Sequence, residues 1–172
     1  MNLKDKTVLV TGGSRGLGLG VVEALVAQGA RVTVVARGAQ DLSSVRSRLG
    51  VNTITADIAD EAFAKRILGE LSPDVLVLNA GLPPRMARFD QMTWSDFTAT
   101  WEHDVKAGLY WMQAALNLPL RPSSRVLVVS SGAAVAGSPM SGGYGGAKRM
   151  LWLMANYANG VAQQKALDVL FQ

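Results

Sequence analysis

Cysteine is absent from the 172-residue sequence, so it can build neither a disulfide framework nor a thiolate metal site. Histidine occurs once, at His103, with no pair of carboxylates beside it at a ligand spacing. That excludes a recognisable metal centre and leaves His103 to be read as a helix-surface or interface residue. No stretch approaches the ~18 consecutive apolar residues of a membrane span, and residues 1–6 are polar where a signal peptide needs an apolar run. The expectation is a cytoplasmic protein with no membrane partner. Charged residues are scarce, at 17% against 49% apolar ones, which is the balance of a folded chain and not of a disordered one. The net charge is +4, but the basic residues are scattered. Even Arg46 and Arg48, the closest grouping, point to nearly opposite sides of a helix. With no aromatic–basic groove pattern either, no nucleic-acid partner is expected, whereas anionic small molecules suit the charge.

What is present alternates regularly. Residues 7–10, 31–36, 52–56, 74–78, 125–130 and 167–171 are short and mostly rich in Val, Ile and Leu, as buried parallel strands tend to be. Between them Leu17, Val21, Leu25 and Val26 repeat on one helical face, as do Phe63, Ile67 and Leu71, and longer helical patterns run over 94–116 and 144–164. The order βαβαβαβαβαβ predicts an α/β fold, a doubly wound parallel sheet of about six strands with helices on both faces, and residues 1–172 read as one domain. The long irregular stretch 81–92, with Pro83 and Pro84, follows the fourth strand. Ligands of such sheets bind beyond the carboxyl ends of the strands, so this loop belongs at the site. Its Arg85 and Arg88 either touch a ligand there or face solvent, and solvent is the favoured reading.

After the first strand comes Thr11-Gly12-Gly13-Ser14-Arg15-Gly16-Leu17-Gly18, opening straight into a helix. Glycines at a strand-to-helix turn let the backbone approach a pyrophosphate, whose charge the free amides of the helix N-terminus can accept. Taken alone, the cluster also suits a tight turn. Its spacing, however, resembles the Thr-Gly-x-x-x-Gly-x-Gly pattern of the short-chain dehydrogenases/reductases, and four further motifs in order resemble the same family. These are Asp57, with Ile58, after the third strand; Asn79-Ala80-Gly81 ending the fourth; Ser131 ending the fifth; and Tyr144-Gly145-Gly146-Ala147-Lys148 as Tyr-x-x-x-Lys.

The resemblance implies a Rossmann-type fold and an oxidoreductase that moves hydride between a nicotinamide and a carbonyl or alcohol substrate. Gly12, Ser14, Arg15, Gly16, Leu17, Gly18, Arg37, Asp57, Ile58, Asn79, Ala80 and Gly81, with Tyr144 and Lys148, would hold the cofactor. Tyr144 and Lys148, four apart, share a helix face, and an ammonium favours the phenolate of a nearby tyrosine. Tyr144 is thereby implied as general acid or base, Lys148 as its partner and a ribose contact, and Ser131 as a hydrogen-bond donor to the substrate oxygen. Gly145 and Gly146 cost helix stability, so a bare backbone is needed there, either for the cofactor or for a partner helix. Asp104 stands where the family has asparagine. Its charge would partly cancel that of Lys148, so a tyrosine that ionises at higher pH than is usual in the family, and an alkaline-shifted rate, are expected.

Members specific for NAD end the second strand with an acid; here it ends Val35-Ala36-Arg37. Arg37 and Arg15 suit a 2′-phosphate, so the expected cofactor is NADP(H). The alternative is a nucleotide-binding protein without turnover. Family members commonly pair through the fourth and fifth helices, so a homo-oligomer is expected, with Trp101, Tyr110, Trp111 and Trp152 as packing residues either there or in the core.

Residues 166–172 fall where the family's sixth strand lies, yet Leu167-Asp168-Val169-Leu170-Phe171-Gln172 also resembles the Leu-Glu-Val-Leu-Phe-Gln site of a picornaviral protease. The end reads either as a tag-removal site on a shortened domain or, as Asp168 and the continuous strand favour, as native sequence cut after Gln172. Either way the family's seventh strand and substrate lid would be missing. The sixth strand would then be an exposed edge that invites association, and turnover would be poor.

Overall fold

The computed structural model describes residues 2–118 and 120–172. Six parallel strands, β1 (Thr7–Thr11), β2 (Arg31–Ala36), β3 (Asn52–Thr55), β4 (Val75–Leu78), β5 (Ser124–Val128) and β6 (Val169–Phe171), lie in the order β3-β2-β1-β4-β5-β6. The family of patterns in the sequence predicted all six, within one to two residues at their ends. Successive side chains of a strand point to opposite faces, and both faces are buried. Val8 and Val10, Val32 and Val34, and Val75 and Val77 join one core with Val22, Leu42 and Val45 of α1 (Gly16–Ala27) and α2 (Ala39–Leu49). Leu9, Val35, Leu76 and Val126 face the other way, into a larger core. That core is built with α3 (Glu61–Leu71), α5 (Lys106–Asn117) and α7 (Tyr144–Gln164).

Two smaller helices, α4 (Trp94–Thr100) and α6 (Ala133–Ala136), flank the carboxyl ends of the strands. The pattern over 94–116 predicted one helix, and the structure corrects this: a π turn, Trp101–Val105, separates α4 from α5. There the Lys106 amide reaches the Trp101 carbonyl five residues back, which adds one residue to the turn and rotates everything before it. Apolar spacing cannot reveal such an insertion, because it leaves the buried stripe continuous.

Trp111 is fully buried; its Nε1 donates to the Ile58 carbonyl at 2.9 Å and its ring meets Phe63 edge-on. Of the four aromatic packing candidates it is therefore core. Trp152 is 47% exposed on α7, Tyr110 is half-buried, and Trp101 is held by a hydrogen bond from Nε1 to the Gly143 carbonyl. Arg85 and Arg88 are exposed and paired with Asp96 and Asp90, as solvent-facing residues should be.

The edge at β6 is less open than its position suggests. Phe171 is buried in the larger core, and its two outward backbone groups are taken by one side chain, Asn159 of α7, which accepts from the Phe171 amide at 2.8 Å and donates to its carbonyl at 2.7 Å. The expected row of unpaired groups is thus interrupted at Phe171.

At the opposite end of the strands Asp74 anchors the sheet. Its carboxylate accepts from the Thr7 amide at 2.8 Å and pairs with Lys6 at 3.1 Å and Arg121 at 3.3 Å. Burial pushes this carboxyl up, but the Thr7 hydrogen bond and the two cations outweigh burial and hold it below its ordinary value of 3.8. A depressed aspartate contributes stability above its unfolded value and loses it as pH falls through the folded one. Asp74→Asn is therefore expected to lower stability by about 1–3 kcal/mol near neutral pH. In urea titrations the gap between the two proteins should close below about pH 4.

Candidate functional site

The sheet order reverses between β1 and β4, and diverging connections open a crevice there. Thr11, at the end of β1 and fully buried, spans the gap. Its hydroxyl donates to the Val77 carbonyl at 3.3 Å and accepts from the amides of Asn79 and Ala80 at 3.0 and 3.1 Å. The Asn79 side-chain amide returns the contact, donating to the carbonyls of Thr11 and Gly12 at 3.2 and 3.1 Å. Thr11 belongs to the glycine motif, but its role depends on a neighbour 68 residues away, which spacing does not show.

A cleft of about 450 Å³ opens over this junction. Gly12, Ser14, Arg15, Gly16, Leu17 and Gly18 form its floor, with Arg37, Ile58, Asn79, Ala80 and Gly81 around it. The bare backbone is required: Gly12 has φ +68°, and a Cβ there would lie 2.7 Å from the Ala80 Cα, while one at Gly18 would collide with the Gly12 carbonyl and the Asn79 amide. The N-cap residue Arg15 makes no side-chain cap at the start of α1, which leaves its first amides for an acceptor in the cleft. A cradle that no side chain may enter, ending in uncapped amides, fits a pyrophosphate. Asp57 is not among the lining residues; its carboxylate is half exposed and 3.7 Å from His103 Nε2.

Arg15 and Arg37 both line the cleft, are exposed and form no ion pair among the described residues. Asp41 lines it as well, its carboxylate folded over Gly38 so closely that a Cβ on Gly38 would be 3.2 Å from Oδ2. No acid ends β2, but this one arrives from the first turn of α2, where spacing along the strand does not show it.

The other end of the cleft is built by the π turn. Asp104 is buried, with Oδ1 accepting from the Leu82 amide at 2.9 Å and lying 3.0 Å from His103 Nδ1. The Lys148 ammonium, also buried, is 3.1 Å from Oδ2 but off the axis of a hydrogen bond. Burial pushes the Asp104 carboxyl up, but His103, the Lys148 charge and the Leu82 amide together hold it below 3.8, so it is ionised at neutral pH. Gly81 separates this pair from the cleft, and a Cβ on it would be 2.6 Å from Asp104 Oδ2 and 2.9 Å from Lys148 Nζ. Tyr144 opens α7, with Lys148 Nζ 5.7 Å from its ring centroid. Ser131 Oγ accepts from the Ala133 amide at 3.2 Å.

The structure thus joins Asp104, Lys148 and Tyr144 and sets the first two behind Gly81, whereas Ser131, Tyr144 and Lys148 lie outside the cleft's own lining. Of the two reasons expected for Gly145 and Gly146, close approach of a packed element is the one found, and it comes from within the chain. A Cβ on Gly145 would be 2.8 Å from the Ala133 carbonyl of α6, and one on Gly146 would be 3.2 Å from the Trp101 ring, so close packing within the chain requires the bare backbone. His103 is the larger correction. Its side chain is only 13% exposed and it lines the cleft, because the π turn rolls it inward from the helix surface. No helix among the described residues is long and apolar enough to cross a membrane, and no group of three or more His, Asp or Glu side chains among them could hold a metal ion.

Residues 6–169 match the family model described as short chain dehydrogenase. The chain is 35% identical over 156 residues to a short chain dehydrogenase/reductase of Aspergillus aculeatus, covering 86% of this chain and 55% of that protein. It is 36% identical over 106 residues to human L-xylulose reductase, covering 61% and 43%. To the rhamnolipids biosynthesis 3-oxoacyl-acyl-carrier-protein reductase of Pseudomonas aeruginosa it is 43% identical over 89 residues, covering 46% and 35%. The chain therefore spans about half, or less, of the length of these curated relatives. A solved short chain dehydrogenase/reductase family protein superposes with a TM-score of 0.82 at 26% identity, covering 98% of this chain and 72% of the other. The sheet order, the glycine cradle and these matches agree: the chain belongs to the short-chain dehydrogenase family.

Proposed function

We propose that the protein is an NADP(H)-dependent carbonyl reductase or alcohol dehydrogenase working through Ser131, Tyr144 and Lys148. The observation that carries the reading is a buried ammonium, Lys148, poised between the end of the nucleotide cleft and the face of Tyr144. A nicotinamide held in the cleft would supply hydride chemistry between its ring and the carbon of a carbonyl or alcohol substrate. Tyr144 gives its phenolic proton to the carbonyl oxygen, so that the product is a neutral alcohol, and in the reverse direction takes that proton back. Lys148 stabilises the phenolate left behind. Ser131, with the Ala133 amide already on its oxygen, has its O–H left to donate to the substrate oxygen and steady the charge that develops there.

The cleft residues hold the cofactor: glycine-loop amides for the pyrophosphate, Arg15 and Arg37 for a 2′-phosphate. Asp41 stands beside them and tempers that preference, since its carboxylate repels a phosphate and suits a ribose hydroxyl instead. The exposed Leu109 of α5, with Trp152 and Tyr157 of α7, supports pairing of two chains through these helices. A second reading, nucleotide binding with little turnover, is favoured by the position of Ser131 and Tyr144 outside the cleft lining and by the carboxylate that offsets Lys148. Loss of NADPH absorbance with a panel of aldehydes and ketones separates the two readings, since only the first predicts substrate-dependent loss.

Three outcomes follow from the assignment. Tyr144→Phe should lower kcat by about 10²- to 10⁴-fold and leave the Kd for NADPH within about threefold; undiminished turnover would remove Tyr144 from the mechanism. Arg37→Ala should weaken NADPH by about tenfold or more, the worth of a charge-assisted hydrogen bond, while NADH changes less than about twofold. Equal losses for both cofactors would contradict a 2′-phosphate contact. Asp104→Asn removes the charge that offsets Lys148, so the tyrosine-dependent limb of the pH–rate profile should move to lower pH. An unmoved limb would show that the carboxylate has no influence on proton transfer.

A further inference from the structure

The helix that carries Tyr144 is weak where it begins. Gly143, Gly145 and Gly146 surround the tyrosine, and glycine in a helix is less favourable than alanine by about 1 kcal/mol. The N-cap residue Gly143 has no side chain to bind the first free amides of α7. A turn of this composition frays when left to itself, so what fixes Tyr144 comes from outside it. We propose that Trp101 is a positioning residue for Tyr144: its indole, presented by the π turn, clamps the first turn of α7 and fixes where the phenol hydroxyl stands. The proposal rests on the reading of Tyr144 as the proton donor.

The indole grips the helix on both sides of the tyrosine. Before it, Trp101 Nε1 donates to the Gly143 carbonyl at 2.9 Å, a contact that closes 42 residues of chain. The same oxygen accepts the Ala147 amide at 2.9 Å, so the indole takes its second lone pair. After the tyrosine, the indole lies against Gly146, where a Cβ would be 3.2 Å from its Cζ2. A Cβ on Gly143 would lie 3.1 Å from Nε1 and collide with the Phe97 carbonyl of α4. The glycines that weaken the helix are therefore what lets the indole reach its backbone.

The π turn supplies the geometry. Trp101 opens it, and Asp104, three residues on, lies 3.1 Å from Lys148 Nζ. One turn thus holds α7 at Gly143, Gly146 and Lys148, the positions that bracket Tyr144. Trp101 is not among the residues lining the cleft, so its influence on turnover runs through α7 and not through a bound nucleotide. Placement of this kind matters to chemistry, since a displacement of about 1 Å by a residue away from the reacting atoms can cost about 10²-fold in rate.

Kinetics of Trp101→Phe, which keeps a ring but loses the N–H, test this on the whole chain with NADPH and a panel of aldehydes and ketones. The variant is expected to lose about tenfold in kcat, with KM and the Kd for NADPH within about twofold. In a Tyr144→Phe background the same change should cost less than about twofold, because no hydroxyl remains to be placed. A merely structural role would lower the fraction of chain that binds NADPH and would cost as much in both backgrounds. Either result, or an unchanged kcat, overturns the proposal. Should the phenylalanine variant not fold, benzothienylalanine in place of Trp101, which has sulfur for N–H in a ring of the same shape, makes the same measurement. No turnover by the unmodified chain, or undiminished turnover in Tyr144→Phe, sinks the reading of the site instead, and amide exchange then decides the proposal. Loss of the indole N–H is expected to speed exchange at residues 144–148 by about tenfold, roughly the worth of one hydrogen bond, and to leave residues 151–164 unchanged. Exchange that is unchanged throughout, or faster along the whole helix, overturns the clamp.

Discussion

One hydroxyl holds the two halves of this sheet at the separation on which the cleft depends. Thr11 sits where β1 ends and strand order reverses, and its oxygen serves one carbonyl and two amides of the chain leaving β4. Replacing that hydroxyl by a methyl would strand buried backbone groups with no water to reach them. With the junction fixed, Gly12 can pass within van der Waals reach of Ala80, Gly18 can pack on Asn79, and the first amides of α1 are delivered to the cleft floor. The glycine loop is therefore only half of the cradle. The other half is an asparagine and an alanine 68 and 69 residues later in the chain.

A second constraint, electrostatic in kind, governs the far end. An aspartate and a lysine buried together are costly to desolvate, and they persist only where each finds further partners. Asp104 finds them in the Leu82 amide and the His103 ring, and Lys148 finds the face of Tyr144. The π turn makes this possible by turning Asp104 inward and His103 toward the cleft, and Gly81 leaves no Cβ between the pair and whatever lies beyond. The segment after β3 and the tyrosine are thus connected by a chain of charged side chains, from Asp57 past His103 and Asp104 to Lys148.

Most of the fold was legible in the sequence because parallel strands buried on both faces leave continuous apolar runs, and these six are separated by regular helical stripes. Glycines were legible where local geometry demands them, as in the loop from Gly12 to Gly18. What stayed hidden depends on partners distant in sequence. Apolar spacing ran unbroken through residues 94–116, so the π turn left no trace, and His103 read as a surface residue because nothing nearby in sequence told of Asp57. Asp41 escaped because the acid sought at the end of β2 comes from the next helix. Gly145 and Gly146 could be recognised as needing a bare backbone, but Ala133 and Trp101, which need it, could not. Asn159, which covers the outer edge of Phe171, looks like any polar helix residue until β6 is in place.

The central claim is that the crevice between β1 and β4 is a dinucleotide site built jointly by the glycine loop, the end of β2, the segment after β3 and the end of β4. Amide hydrogen exchange measured with and without saturating NADPH tests it most directly, because it maps the footprint without assuming any residue's role. The account predicts slowed exchange in residues 12–18, 36–41, 56–58 and 79–82, with the helices away from the cleft unchanged. Protection confined to other segments, or none at a saturating concentration, would contradict it.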